Sequence, residues 1–208
     1  MFVKICGLRN ADDASAAVQA GADAIGFVFH PKSVRNVSSE AASDAAADVP
    51  DHVKRVAVMR HPSNDEWLAV LHGFSPDVLQ TDAEDFDSLD VPDTVERWLV
   101  YREENTAQNM VTDTRFVENM VTDTRFLYEG AESGAGETVD WARAAQVAES
   151  RNMILAGGLD PSNVADAIRT VRPYGVDVSS GVESAPGEKS AVLINEFVTA
   201  AKAAGRNL

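Results

Sequence analysis

The stretch MILAGGLDPSNVADAIRTVRPYGVDVSSGVE, residues 153–183, decides how the rest of the chain is read. Met153–Ala156 is short and apolar, as a buried strand is. Gly157 and Gly158 end it, and Asp160-Pro161-Ser162 carries the start signals of a helix. Gly175–Val178 is a second strand, closed by the small residues Ser179, Ser180 and Gly181. Loops rich in Gly and Ser let backbone N–H groups come close to an anion. In an eight-fold β/α barrel, the loops after strands seven and eight are where a phosphate group is commonly held.

Six further strand signals precede these two: Phe2–Cys6, Ala24–Phe29, Lys54–Met59, Asp77–Gln80, Arg97–Tyr101 and Phe126–Tyr128. Helical patterns lie between most of them. Asp12–Ala20 has helical spacing and ends at Gly21, a C-cap residue. Ser38 or Ser39 can cap an alanine-rich helix running to Ala47, and another helix is expected around Asn64–His72. Alternation of strand and helix implies a parallel sheet with right-handed crossovers. Eight units suit an α/β protein built as a closed (β/α)8 TIM barrel, one domain over residues 1–208. A doubly wound open sheet is the alternative.

One segment breaks the rhythm between strands five and six. Residues 107–116, AQNMVTDTRF, and residues 117–126, VENMVTDTRF, agree at eight of ten positions. Two short copies do not make a solenoid. One copy is expected outside the barrel, the other leading into strand six. The competing reading is that the duplication distorts that strand and damages function.

The chain has 18 Lys+Arg against 33 Asp+Glu, a net charge of −15. Such a surface repels nucleic acid and anionic membranes. With few lysines among its basic residues, the chain reads as adapted to high salt, where counterions screen self-repulsion. No stretch is apolar for long enough to span a bilayer, and MFVKICGLRN does not read as a signal peptide. The single cysteine, Cys6, excludes an internal disulfide and fits a cytoplasmic protein. His30, His52, His61 and His72 have no metal-ligand spacing, so no metal site is expected. P-loop, dinucleotide and nucleophile-elbow motifs are absent.

Four residues carry candidate chemistry. Cys6 stands at the carboxyl end of strand one, where barrel active sites gather; the competing reading is a small buried hydrophobe. Glu129 follows strand six in LYEG, and partial burial there suits acid/base work. Asp177 lies inside an apolar strand and needs a partner, either a substrate hydroxyl or nearby backbone groups. Arg35, in KSVRNVS, can fork onto a carboxylate or simply be an exposed loop arginine.

KICGLRN (4–10), GFVFHPKSVRNVS (26–38), SGAGETVDW (133–141), LAGGLDPSNV (155–164) and GVDVSSGVE followed by PGEK (175–189) resemble phosphoribosylanthranilate isomerase in order and spacing. The resemblance covers nearly the whole chain. It implies a (β/α)8 barrel that catalyses an Amadori rearrangement in tryptophan biosynthesis, without a cofactor, on a small phosphoribosyl substrate, as a monomer or homodimer. It makes Cys6 the general base and Glu129 the general acid. Arg35 would hold the anthranilate carboxylate and Asp177 would contact the sugar. Gly157, Gly158, Ser179, Ser180 and Gly181 would form the phosphate cup.

This sequence departs from the family pattern in three places. The family acid is ordinarily Asp, and Glu129 carries its carboxyl about one methylene further. Asp123 is no substitute, since six strand residues would place it ~20 Å towards the other face. The strand-four motif Q-L-H-G is Gln80-Thr81-Asp82-Ala83, and G-G-T-G is Ser133-Gly134-Ala135-Gly136. The related histidine-pathway isomerase typically has aspartate where Cys6 stands. A dual-substrate isomerase and a phosphate-binding barrel that has lost catalysis are the remaining readings.

Overall fold

The structure, a computed structural model, describes residues 1–102, 125–130, 138–148, 152–206 and 208. Eight parallel strands close into a barrel in sequence order, β8 pairing back onto β1. They are β1 (Phe2–Cys6), β2 (Ala24–Val28), β3 (Lys54–Val58), β4 (Val78–Asp82), β5 (Glu96–Arg102), β6 (Phe126–Glu129), β7 (Met153–Leu155) and β8 (Gly175–Val178). The described helices are α1 (Ala11–Ala20), α2 (Ser39–Ala45), α3 (Asn64–Phe74), α4 (Trp141–Ala148), α5 (Val164–Val171) and α6 (Ala191–Gly205). A short 3-10 turn, Ala83–Asp87, follows β4. A two-stranded hairpin, β9 (Glu183–Ala185) and β10 (Glu188–Lys189), precedes α6.

Local signals set the element ends. Gly21 sits in the left-handed region at φ 94° and closes α1. Ser38, one of the two capping candidates, accepts a hydrogen bond from the Ala41 amide and starts α2. Helix α2 stops at Ala45, two residues before the expected end. Helix α5 begins at Val164, later than Asp160-Pro161-Ser162 suggests. There the Asp160 carboxylate accepts the amides of Ser162 (2.7 Å) and Asn163 (3.1 Å), making a turn before the helix.

Strand residues alternate between two cores. Val3, Ile5, Ile25, Phe27, Leu79 and Met153 pack outwards among the helices. Ala24, Val56, Val78, Trp98, Val100, Leu127 and Ile154 fill the barrel's interior. Burial on both faces is why these strands read as apolar runs. At the amino-terminal end, Arg125 lies 5.1–5.7 Å from the rings of Phe2, Trp98 and Tyr174 and donates to Glu96 and the Tyr174 hydroxyl. Arg125 and Phe126 are the last two residues of the second repeat copy, so that copy leads into β6. The rest of the tandem segment, Asp123 included, lies outside the described residues.

The strands β4 and β5 reach further than their apolar runs. Asp82 and Arg102 are the last residues of these strands, opposite Val100 and Glu129 respectively. That extension places two charged side chains at the barrel's carboxyl end.

Candidate active site

A cavity of about 500 Å³ opens at the carboxyl ends of the strands. Cys6, Arg35, Glu129, Asp177, Gly157, Gly158, Ser179 and Ser180 all line it. Residues far apart in sequence thus meet, because they lie in or just after five different strands, β1, β2, β6, β7 and β8, of one closed sheet. Ser133-Gly134-Ala135-Gly136 lies outside the described residues.

Cys6 is 6% exposed. Two residues earlier on the same face of β1, Lys4 is fully buried, and its Nζ donates to Asp177 Oδ1 at 2.9 Å. Lys4 and Asp177 are directly opposed in the β1–β8 ladder. Asp177's partner inside the protein is therefore a lysine, which neither expectation for it included. Gly26, opposite Cys6, makes room for this cluster. A Cβ there would stand 3.1 Å from Cys6 Sγ and 3.3 Å from Lys4 Nζ. Burial pushes the Cys6 thiol above its ordinary value; the Lys4 ammonium opposes that shift and the Asp177 carboxylate adds to it. Burial works against the charge of Lys4, but Asp177 and Cys6 outweigh it and hold its pKa above the ordinary lysine value.

Glu129, the last residue of β6, accepts from Arg102 Nη1 at 2.5 Å. The same guanidinium donates through Nε to Asp82 Oδ1 at 2.9 Å and through Nη2 to Asp82 Oδ2 at 3.3 Å. Burial pushes Asp82 above its ordinary value despite Arg102. His61 adds to this corner, with Nε2 at 3.6 Å from Asp82 and Nδ1 at 3.0 Å from Asp85. The folded chain therefore brings a histidine and two carboxylates together where linear spacing gave no sign of it. Both carboxylates are already engaged, Asp82 by Arg102 and Asp85 by the Thr81 hydroxyl and the His61 amide.

Arg35 lies between the cavity and the β9–β10 hairpin. Its Nε and Nη2 fork onto Glu183 at 2.7 and 2.9 Å. Lys189 Nζ reaches the same carboxylate at 2.7 Å and the Ser179 carbonyl at 2.9 Å. Burial alone would raise the Glu183 pKa, but bonds from Arg35, Lys189 and the Gly187 amide bring it down to about 2. A depressed carboxylate stabilises the fold above its ordinary value of 4.5, and that contribution fades as pH falls towards about 2. In urea unfolding, Glu183→Gln is expected to lower stability most near neutral pH. The difference from wild type should close as the pH approaches 2.

The glycine–serine loops form one wall of the cavity. Gly157 (φ 94°) and Gly158 (φ 61°) both need the left-handed region. Asn163 Nδ2 donates to the Gly158 carbonyl at 2.8 Å and fixes the first loop. Gly181 stands behind the cup and does not line the cavity. A Cβ on it would come within 1.9 Å of the Leu159 carbonyl oxygen, so its glycine is required by the packing of one loop on the other. Gly181→Ala should therefore cost about 3 kcal/mol of stability, read from the denaturant midpoint. Gln80 was not singled out as a site residue in the sequence, yet it is 4% exposed and lines the cavity. Its Oε1 has no hydrogen-bond partner among the described residues. Its place at the first position of the strand-four motif Gln80-Thr81-Asp82-Ala83 was the signal available for it.

A closed (β/α)8 barrel with a thiol, two ion-paired carboxylates and glycine–serine loops around one cavity belongs to the barrel enzymes that work at the carboxyl ends of their strands. The family model described as N-(5'-phosphoribosyl)anthranilate (PRA) isomerase matches residues 3–200. An N-(5'-phosphoribosyl)anthranilate isomerase of Bordetella bronchiseptica is 41% identical over 212 residues, covering 96% of this chain and 95% of the relative. A dimeric phosphoribosylanthranilate isomerase of Thermotoga maritima, solved as generated monomers, superposes with a TM-score of 0.79 at 32% identity, covering 98% of this chain and 99% of that one. A phosphoribosyl anthranilate isomerase solved with reduced 1-(o-carboxyphenylamino)-1-deoxyribulose 5-phosphate gives 0.77, again at 32% identity and with the same coverage. This chain belongs to the phosphoribosylanthranilate isomerase family.

Proposed function

We propose that this protein converts N-(5-phosphoribosyl)anthranilate to 1-(2-carboxyphenylamino)-1-deoxyribulose 5-phosphate, the third step of tryptophan biosynthesis from chorismate. The observation that carries this reading is the meeting of Cys6 and Glu129 at one cavity, beside the glycine–serine loops, in a chain of this family.

The phosphate sits against Gly157, Gly158, Ser179 and Ser180, with Gly181 setting the distance between the two loops. Arg35 faces the anthranilate carboxylate. Glu183 takes its Nε–H and one Nη2–H, which leaves the N–H groups of Nη1 and the second of Nη2 to face the ligand. Protonated Glu129 gives its proton to the furanose ring oxygen as the C1–O bond breaks and the nitrogen lone pair forms C1=N. The Cys6 thiolate then takes the C2 proton. The C2–H electron pair becomes C1=C2 while the C=N pair returns to nitrogen, and the resulting enol tautomerises to the ketose. Oxidation at C2 balances reduction at C1, so the route needs no external oxidant and no cofactor.

Asp82, Arg102 and Glu129 support the acid step as a unit. With both carboxylates ionised the trio carries one net negative charge, and a single proton neutralises it. Asp82 therefore offsets the pull of Arg102 against protonation at this corner.

The same reading makes the protein a single-domain cytoplasmic enzyme, monomeric or homodimeric, with an acidic surface suited to high salt. Among the described residues no helix is long and apolar enough to cross a membrane. Purified protein in high salt should consume the fluorescent anthranilate substrate, and its gene should restore growth of a tryptophan auxotroph lacking this isomerase. Binding of phosphate or product analogue with turnover at background would overturn the reading in favour of a barrel that has lost catalysis. Assay of the histidine-pathway substrate in parallel tests whether the chain accepts both.

A further inference from the structure

Lys4 is fully buried in a barrel whose interior is otherwise largely apolar. A buried ion pair is commonly no more stabilising than well-packed hydrophobic side chains of the same volume. Lys4 and Asp177 are therefore not explained by stability alone. Their position is informative: Lys4 is two residues from Cys6 on the same face of β1, and Gly26 leaves Sγ and Nζ facing one space.

We propose that Lys4 is a positioning residue whose buried ammonium, held in place by Asp177, is the counter-ion of the Cys6 thiolate. The inference rests on the reading of Cys6 as the base. That base has to give up its thiol proton inside a buried pocket, where a bare thiolate is costly. Three cations influence it: Lys4 from β1, Arg35 from the loop after β2, and Lys189 from β10. One carboxylate, Asp177 from β8, opposes them. Lys189 and Arg35 are bound to Glu183, which neutralises part of their field. The side chains of Lys4 and Lys189 are both fully buried, but Lys189 is held by Glu183, and Lys4 shares the cysteine's own strand. As a substrate hydroxyl engages Asp177, the carboxylate's hold on the ammonium weakens and more of the Lys4 charge serves the thiolate.

Cys6 is the only cysteine in the chain, so its titration can be read directly from the pH dependence of alkylation by iodoacetamide. In Lys4→Met the alkylation midpoint should rise by about one pH unit or more, the scale of one unit charge a few ångström away. At neutral pH, kcat should fall about tenfold or more with KM little changed, and should recover as pH rises past the new midpoint. In Asp177→Asn, which keeps the ammonium and removes the opposing carboxylate, the midpoint should fall. General disruption of the pocket would move both variants the same way, so opposite signs are the signature. An unmoved midpoint in Lys4→Met, or shifts of the same sign in the two variants, overturns the proposal. If Lys4→Met does not fold, Asp177→Asn decides alone, and a midpoint that stays or rises overturns it. Alkylation needs no substrate. A wild-type enzyme that fails to turn over would sink the isomerase reading while leaving these midpoints to decide the role of Lys4.

Discussion

Cys6→Ala should lower kcat for the phosphoribosylanthranilate substrate by about 10³-fold, the middle of the range for loss of one positioned acid or base. The fold should survive. Alanine is smaller than cysteine by one sulfur atom, and Cys6 sits at the cavity rather than deep in the helix–strand core. KM should change little, because neither the glycine–serine loops nor Arg35 depends on the thiol. Cys6→Ser tests the chemistry more narrowly. It preserves the shape, but a hydroxyl gives up its proton far less readily than a thiol, so it should be no better than alanine. Steady-state kinetics beside thermal unfolding separate the two effects. Wild-type turnover in Cys6→Ala would show that Cys6 is not the base.

Glu129→Gln should be comparably damaging, with kcat down by about 10²–10³-fold. Glutamine keeps the length and can still accept from Arg102, but it has no acidic proton to give. Glu129→Asp retains an acid and shortens its reach by one methylene. Misplacement of ~1 Å can cost on the order of 10²-fold, so aspartate should fall below wild type and remain above glutamine. The wild-type carboxyl meets Arg102 at 2.5 Å, and that bond is what the longer side chain is fitted to. Equal activity of Glu129→Gln and wild type would remove Glu129 from the acid role.

The barrel was legible because most strands carry short apolar runs, and β1, β2, β3, β7 and β8 are followed by capped helices or small-residue turns. β1 and β8 appear with the bounds read from sequence. What the pattern concealed was charge inside strands. The expected fourth and fifth strands stopped at Gln80 and Tyr101, which left Asp82 and Arg102 beyond their ends. Both continue the ladder, and the pairing of Arg102 with Asp82 and Glu129 depends on strand register, which hydrophobic pattern alone does not supply for residues 20 and 27 positions apart. Lys4 was passed over for the same reason. It lies within FVKIC, and nothing near it in sequence signals a partner 173 residues away. Arg35 was read either as forking onto a ligand carboxylate or as an exposed loop arginine, and its fork onto Glu183 spans 148 residues. The glycine–serine loops were local and therefore visible, although Gly181 serves the packing of Leu159 rather than the cavity lining.

The pairing of Lys4 with Asp177 also bears on the order of synthesis. A ribosome releases β1 first and β8 last, so a nascent chain that has emerged only through β7 holds a lysine destined for the interior without its carboxylate. Burying that ammonium early would be penalised, which discourages β1 from settling among its neighbours before the final strand arrives. Barrel closure would therefore await the segment that also carries Ser179 and Ser180. The strand that carries Cys6 and the glycine–serine loop after β8 would then be assembled together, at the end of elongation.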